Sequence, residues 1–213
     1  MSTILERLSA VGVVPVIAVD DVEQAEHLAD ALVAGGLPVA EITFRTSAGA
    51  AAIKALSKRS DLILGAGTVT TVDQVDAAVD AGAQYIVSPG TSRAVVERAQ
   101  HHGLMMLPGA VTATEIQAAL ELGIETVKFF PAGTSGGPAA IKALSAPFKN
   151  VRFVPTGGVS LDNLADYLSM SCVPAVGGSW MVKPEMMRAG QWADITRIAG
   201  EAIAKVKAIR SNA

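Results

Sequence analysis

Lys128 stands in the run Thr126-Val127-Lys128-Phe129-Phe130-Pro131, an apolar segment with strand character. Most lysines keep to solvated faces, because taking an ammonium out of water without a partner is costly. A strand lysine flanked by Val127 and Phe129 therefore needs a reason. Desolvation favours the uncharged amine, and an uncharged amine can attack a carbonyl carbon. The position also suits a lysine whose ammonium snorkels outward or meets a buried carboxylate. The segment by itself leaves these alternatives open.

A second group of reactive residue types lies in Glu41-Ile42-Thr43-Phe44-Arg45-Thr46. Glu41, Thr43 and Arg45 share a parity, so they face one way if the strand runs through to Arg45. Alone, Glu41 and Arg45 fit a structural ion pair as readily as a site. Together with Lys128 they make a working set: a carboxylate to move protons, a lysine to form a Schiff base and an arginine to hold a carboxylate substrate.

Gly157-Gly158 and Gly177-Gly178-Ser179 form a third group. Glycine lets backbone N–H groups approach an anion closely, and Ser179 adds a hydroxyl. One such pair makes an ordinary turn. Two pairs at the ends of the last two strand-like runs point to a phosphate. His27, His101 and His102 fall in or near the ends of helix-like stretches, where solvated positions are expected. No cluster has metal-ligand spacing, and neither a Gly-x-Ser-x-Gly elbow nor a Walker loop occurs. No metal or cofactor site is read from these residues.

The elements that must position these groups recur regularly. Apolar, β-branched runs occupy Val13–Val19, Val39–Phe44, Leu62–Thr68, Tyr85–Gly90, Leu104–Ala110, Thr126–Ala132, Val151–Gly158 and Ala175–Trp180. Between them, Val22–Ala34, Val72–Ala81, Arg93–His102 and Glu115–Leu122 carry apolar residues at helical spacing. Gly35, Gly82, Gly103 and Gly123 are placed to end helices in the left-handed conformation. Thr112 with Glu115, and Thr71 with Gln74, have capping-box spacing. Alternating strand and helix implies a parallel sheet covered by helices. The pattern predicts an α/β chain, a single (β/α)8 TIM barrel over residues 1–213, in which Met1–Ala10 forms a short N-terminal helix across the floor and Pro184–Ile209 supplies the last helices. The alternative, a doubly wound open sheet, usually carries a Gly-x-Gly-x-x-Gly turn after its first strand. Here Asp20-Asp21-Val22-Glu23 follows instead. In a barrel the chemistry collects at the C-terminal strand ends, and all three groups above lie there.

Bulk properties set outer bounds. Half of the 213 residues are hydrophobic and 17% are charged, enough for a sizeable core. A net charge of −3 and an aromatic content of 4% give no electrostatic or stacking case for nucleic acid or an anionic membrane. No run approaches the length needed to span a bilayer, and the first residues lack a signal-peptide core, so a cytoplasmic protein is expected. The single cysteine, Cys172, rules out an internal disulfide and reads as a small buried hydrophobe.

In order and spacing, Pro15-Val16-Ile17, Ala34-Gly35-Gly36, Glu41 to Thr46, Gly65-Ala66-Gly67-Thr68-Val69, Val87-Ser88-Pro89-Gly90, Lys128-Phe129-Phe130-Pro131-Ala132, Pro155-Thr156-Gly157-Gly158 and Gly177-Gly178-Ser179-Trp180 resemble the bacterial 2-keto-3-deoxy-6-phosphogluconate (KDPG) aldolase family, also described as 4-hydroxy-2-oxoglutarate (KHG) aldolase. The resemblance covers nearly the whole chain. It implies a class I aldolase of the Entner–Doudoroff pathway, a homotrimer that uses no metal. Its substrate would be a small keto-acid phosphate, cleaved to pyruvate and glyceraldehyde 3-phosphate, with 4-hydroxy-2-oxoglutarate as a second substrate giving glyoxylate. By the same resemblance Lys128 is the Schiff-base lysine and Glu41 the general acid/base. Arg45 and Thr68 hold the pyruvate carboxylate, Pro89 and Phe130 wall its pocket, and Thr156 governs stereochemistry at the aldehyde end. Gly157, Gly158, Gly178 and Ser179 take the phosphate. The chain departs from the family pattern at Phe44, Val154 and Gly133, where many relatives carry Leu, Cys and Glu. The Gly133 departure bears on aldehyde preference. The alternatives are a galactonate-derived keto-acid phosphate as substrate, a phosphosugar isomerase or epimerase barrel, and a non-catalytic phosphosugar-binding barrel.

Overall fold

A computed structural model describes residues 2–211. Eight strands, β1 (Val13–Ile17), β2 (Val39–Thr43), β3 (Ile63–Gly67), β4 (Tyr85–Val87), β5 (Met105–Leu107), β6 (Thr126–Phe129), β7 (Arg152–Pro155) and β8 (Val176–Gly178), alternate with helices. The helices are α1 (Ile4–Val11), α2 (Ala25–Ala34), α3 (Gly49–Leu56), α4 (Val72–Ala81), α5 (Arg93–His101), α6 (Ala113–Glu121), α7 (Gly137–Ser145), α8 (Leu164–Leu168), α9 (Pro184–Arg188) and α10 (Trp192–Ser211). All strand pairs are parallel. Six strands form a curled sheet in the order β5-β4-β3-β2-β1-β8, and β6 pairs with β7 separately. Single bridges, Gly109 to Lys128 and Thr156 to Gly177, link that pair to each edge of the larger sheet. The parallel α/β architecture follows the sequence pattern. Hydrogen bonding, however, divides the strands between two sheets.

Strand alternation sorts the core. Val14, Val39, Ile63, Tyr85, Val87, Leu107 and Val154 pack together on the concave side, and Leu8 of α1 packs into them from below. This is the floor helix expected for Met1–Ala10; Met1 itself lies outside the described residues. A Thr3–Glu6 capping box starts the helix. The opposite strand faces meet the helices in a second, larger cluster. Phe129 and Phe153 lie there edge to face with ring centroids 6.3 Å apart. Burying such a side chain contributes about 1.5–3 kcal/mol. Phe129 and Val127 thereby pin β6 against the helices, which turns Lys128 to the concave side.

The strands are shorter than the apolar runs. Each run's last residues lie beyond the strand; after β4, β5 and β6 the turns contain Pro89, Pro108 and Pro131, which have no N–H to give to a ladder. Val22–Gln24 is a 3-10 turn that precedes α2. Thr112 and Glu115 form the expected capping box. Thr71 caps Gln74, but the Gln74 side chain accepts from Thr70 N, one residue early. Gly82, Gly103 and Gly123 are left-handed, as expected. Gly35 is not: its φ is −75°, and Gly36 takes the positive φ of 74°. A Cβ on Gly35 would lie 2.6 Å from Thr196 O and 2.7 Å from Ala199 Cβ, so this glycine serves the close approach of α10.

Candidate active site

Lys128 is 4% exposed and Glu41 3%, and Lys128 Nζ donates to Glu41 Oε1 at 3.3 Å. The buried lysine and the buried carboxylate are therefore one unit, and the ammonium does not snorkel out. Gly67 makes the room: a Cβ there would lie 2.8 Å from Glu41 Cγ. On its other side Nζ lies 5.3 Å from the Phe130 ring centroid, within cation–π range.

The lysine opens upward into a cavity of about 480 Å³ at the C-terminal strand ends. Every residue predicted from the sequence lines this cavity except Glu41, which lies beneath it on Lys128. Arg45 reaches it from the turn after β2, not from the strand, because β2 stops at Thr43. The condition for the parity expectation is thus not met, although the guanidinium still shares the cavity with Lys128. Thr43 does not line the cavity: its hydroxyl donates to Ile17 O at 3.0 Å and ties β2 to β1. Arg45 Nε donates to Thr68 Oγ1 at 3.3 Å. Thr68 has a φ of 58°, left-handed and unusual for a β-branched residue. Such a conformation costs on the order of 1–3 kcal/mol and is kept where the surroundings demand it. Pro89 and Phe130 supply apolar wall, joined by Val16 and Val159, which sequence reasoning missed.

The far end of the cavity is built from backbone. Gly157 and Gly158 have φ of 88° and 79°, open only to glycine without strain. Asn163 holds their loop, donating through Nδ2 to Gly158 O at 2.9 Å and accepting from Ser160 N at 2.8 Å. Asn163 was not singled out from the sequence; its position just before α8 was the available sign. Gly178 serves packing as well, since a Cβ there would collide with the Trp180 ring. Thr156 is buried, its Oγ1 occupying the space a Gly177 Cβ would need. Ser179 is exposed at the rim. Gly133 lies beside Gly157, donating to its carbonyl at 2.9 Å.

Other features lie apart from this site. A larger cavity, about 800 Å³, sits between α1, the end of α2 and α10, lined by Val11, Gly36 and Ile203 among others, far from Lys128. His102 meets Asp76 at 3.0 Å and His27 stacks on Trp192, both outside the Lys128 cavity. Cys172 is half-buried against the core. Among the described residues no group of three or more His, Cys, Asp or Glu side chains could hold a metal, and no helix is long and apolar enough to cross a membrane.

An amine in contact with a carboxylate, below a cavity that also holds a guanidinium and a glycine-lined end, is the arrangement a Schiff-base lyase of keto acids requires. Comparison with known proteins agrees. A family model described as KDPG and KHG aldolase matches residues 4–198. A 2-dehydro-3-deoxy-phosphogluconate aldolase of Treponema pallidum is 48% identical over 95% of this chain and 97% of its own. A KHG/KDPG aldolase of Escherichia coli K12 is 41% identical over 92% of each chain. The solved KDPG aldolase of Legionella pneumophila, with pyruvate captured as a covalent carbinolamine, superposes with a TM-score of 0.89 at 37% identity, covering 93% of this chain and 97% of that one. The chain belongs to the KDPG and KHG aldolase family and is a lyase.

Proposed function

We propose that this aldolase cleaves 2-keto-3-deoxy-6-phosphogluconate to pyruvate and glyceraldehyde 3-phosphate through a Schiff base on Lys128. The observation that carries the proposal is the 3.3 Å contact between the buried Lys128 and Glu41 at the base of the 480 Å³ cavity. Glu41 accepts a proton from the ammonium and frees the amine to attack the keto carbon. The carbinolamine loses water to give a protonated imine, with Glu41 moving the protons. The imine draws in the electron pair of the bond between the methylene carbon beside it and the hydroxyl-bearing carbon beyond, and that bond breaks as Glu41 takes the hydroxyl proton. The aldehyde leaves. The enamine is protonated at its methylene carbon, and hydrolysis returns Lys128 and releases pyruvate. Arg45, steadied by Thr68, holds the pyruvate carboxylate as a charge-assisted clamp, between the apolar walls of Pro89 and Phe130. Gly157, Gly158, Gly178 and Ser179 receive the phosphate, with the left-handed glycines turning backbone N–H groups toward it.

The test is borohydride reduction in the presence of pyruvate, with peptide mass mapping, beside a coupled assay of pyruvate release. A reduced pyruvate adduct on Lys128 and cleavage of the gluconate-derived substrate are expected. A second substrate, 4-hydroxy-2-oxoglutarate, is favoured by the dual description of the family model and the E. coli relative. Residues 1–213 are read as one domain, a (β/α)8 barrel closed at the two single bridges, which acts as a homotrimer in the cytoplasm. Sedimentation checks the oligomer.

Two substitutions probe the aldehyde end. Ser179→Ala removes a rim hydroxyl without touching the core. It is expected to raise KM for the phosphorylated substrate about tenfold, the scale of one hydrogen bond to a charged group, and to leave pyruvate trapping unchanged. Equal losses for both ligands would remove Ser179 from the phosphate site. Thr156→Val keeps shape and deletes the hydroxyl, whose bond to Val154 O is long at 3.5 Å, leaving it available to a ligand. The variant should still form the pyruvate adduct, while its preference between gluconate- and galactonate-derived substrates narrows about tenfold or more. An unchanged ratio of specificity constants would mark Thr156 as a bracing residue.

A further inference from the structure

The mechanism leaves Tyr85 without a task. Glu41 of β2, Gly65 of β3 and Tyr85 of β4 stand in register across three adjacent strands. Gly65 has no side chain, and a Cβ there would collide with the Tyr85 ring, with Cζ as the nearest atom. The ring therefore leans over β3 and brings its hydroxyl end toward the strand that carries Glu41.

That hydroxyl is fully buried and has no hydrogen-bond partner among the protein atoms. Leaving a buried hydroxyl unpaired is costly, so a partner is expected close by. Below the catalytic pair lies a small enclosed cavity of about 10 Å³. It is lined by Glu41 and Tyr85 and otherwise by apolar residues such as Leu8, Val14, Leu107 and Val154. This volume is about the size at which one ordered water fits. Lys128 lines the larger cavity and not this one, so Glu41 stands between a donor above and the small cavity below. Burial, and then the charge of Glu41, push the Tyr85 phenol well above its ordinary range, so it remains a protonated donor.

We propose that Tyr85 is a positioning residue for Glu41: its hydroxyl holds one buried water against the carboxylate, on the side away from Lys128. With donors on both sides the carboxylate cannot turn, and Oε1 stays aimed at Nζ and at the reacting carbons. The inference rests on the reading of Glu41 as the acid/base. Arg45, the other charged group nearby, is engaged with Thr68 instead.

Tyr85→Phe tests it, because the ring and its seat on Gly65 remain. The exchange of pyruvate methyl protons with solvent is the readout. We expect kcat for exchange to fall about tenfold while KM for pyruvate stays within about twofold, since positioning is lost and binding is not. In a Glu41→Gln background the same change should add no further loss, because the group being positioned is already gone. Wild-type exchange in Tyr85→Phe, or an equal loss in both backgrounds, overturns the proposal and leaves the role of Glu41 standing. Wild-type exchange in Glu41→Gln alone overturns the acid/base reading, and this inference with it.

Discussion

Lys128→Met is expected to form no adduct with pyruvate and to release no pyruvate from substrate. Methionine follows the lysine stem closely and is at home in an apolar strand, so β6 keeps its packing through Val127 and Phe129. What disappears is the nucleophile, and no other lysine lines the cavity to replace it. The change also strips Glu41 of its partner. Removing one member of a buried ion pair costs on the order of 3–5 kcal/mol when the remaining charge stays buried, so a lowered melting temperature is expected too. Circular dichroism separates loss of chemistry from loss of fold. A folded variant that still traps pyruvate, or a wild-type adduct mapped to another lysine, would refute the assignment.

The second large effect belongs to Glu41→Gln. Glutamine fits the space that Gly67 leaves open and keeps a polar atom beside Nζ, but it cannot carry protons. Exchange of the pyruvate methyl protons, followed by NMR in deuterated water, should slow about 10²–10⁴-fold, the range for removing a general acid/base. Borohydride should still trap some adduct on Lys128, because the amine remains. A variant as fast as wild type would reassign Glu41 to structure alone.

Much of this was legible in the chain. Strand positions could be read because β-branched runs and helical spacing alternate cleanly, and because a buried lysine in such a run stands out against its neighbours. Strand ends could not, since Pro89, Pro108 and Pro131 interrupt hydrogen bonding without interrupting apolarity. Gly35 was misplaced as a left-handed cap because composition does not distinguish a glycine that needs positive φ from one that needs an approaching helix. Thr68 was legible as a site residue, but its left-handed backbone has no sequence signature at a β-branched position. Arg45 lines the cavity from a turn and not through strand parity, because β2 ends two residues before it. Val16, Val159 and Asn163 escaped notice because a wall residue looks like core and a loop brace looks like any turn asparagine. Tyr85 looked like one more apolar strand residue. Only the register beside Gly65 sets its hydroxyl apart.

The glycines divide the site into positions closed and open to evolutionary change. Gly65 and Gly67 are locked, since any side chain there would strike Tyr85 or Glu41. Gly133 is different: a Cβ would meet only Gly158 Cα at 3.4 Å and Gly157 O at 3.5 Å, ordinary contact distances, and the residue is exposed. A laboratory selection for new aldehydes can therefore randomise Gly133 without disturbing the lysine or its carboxylate. The turn at Gly157 and Gly158 thus has a neighbour with room for a side chain, which the catalytic pair lacks.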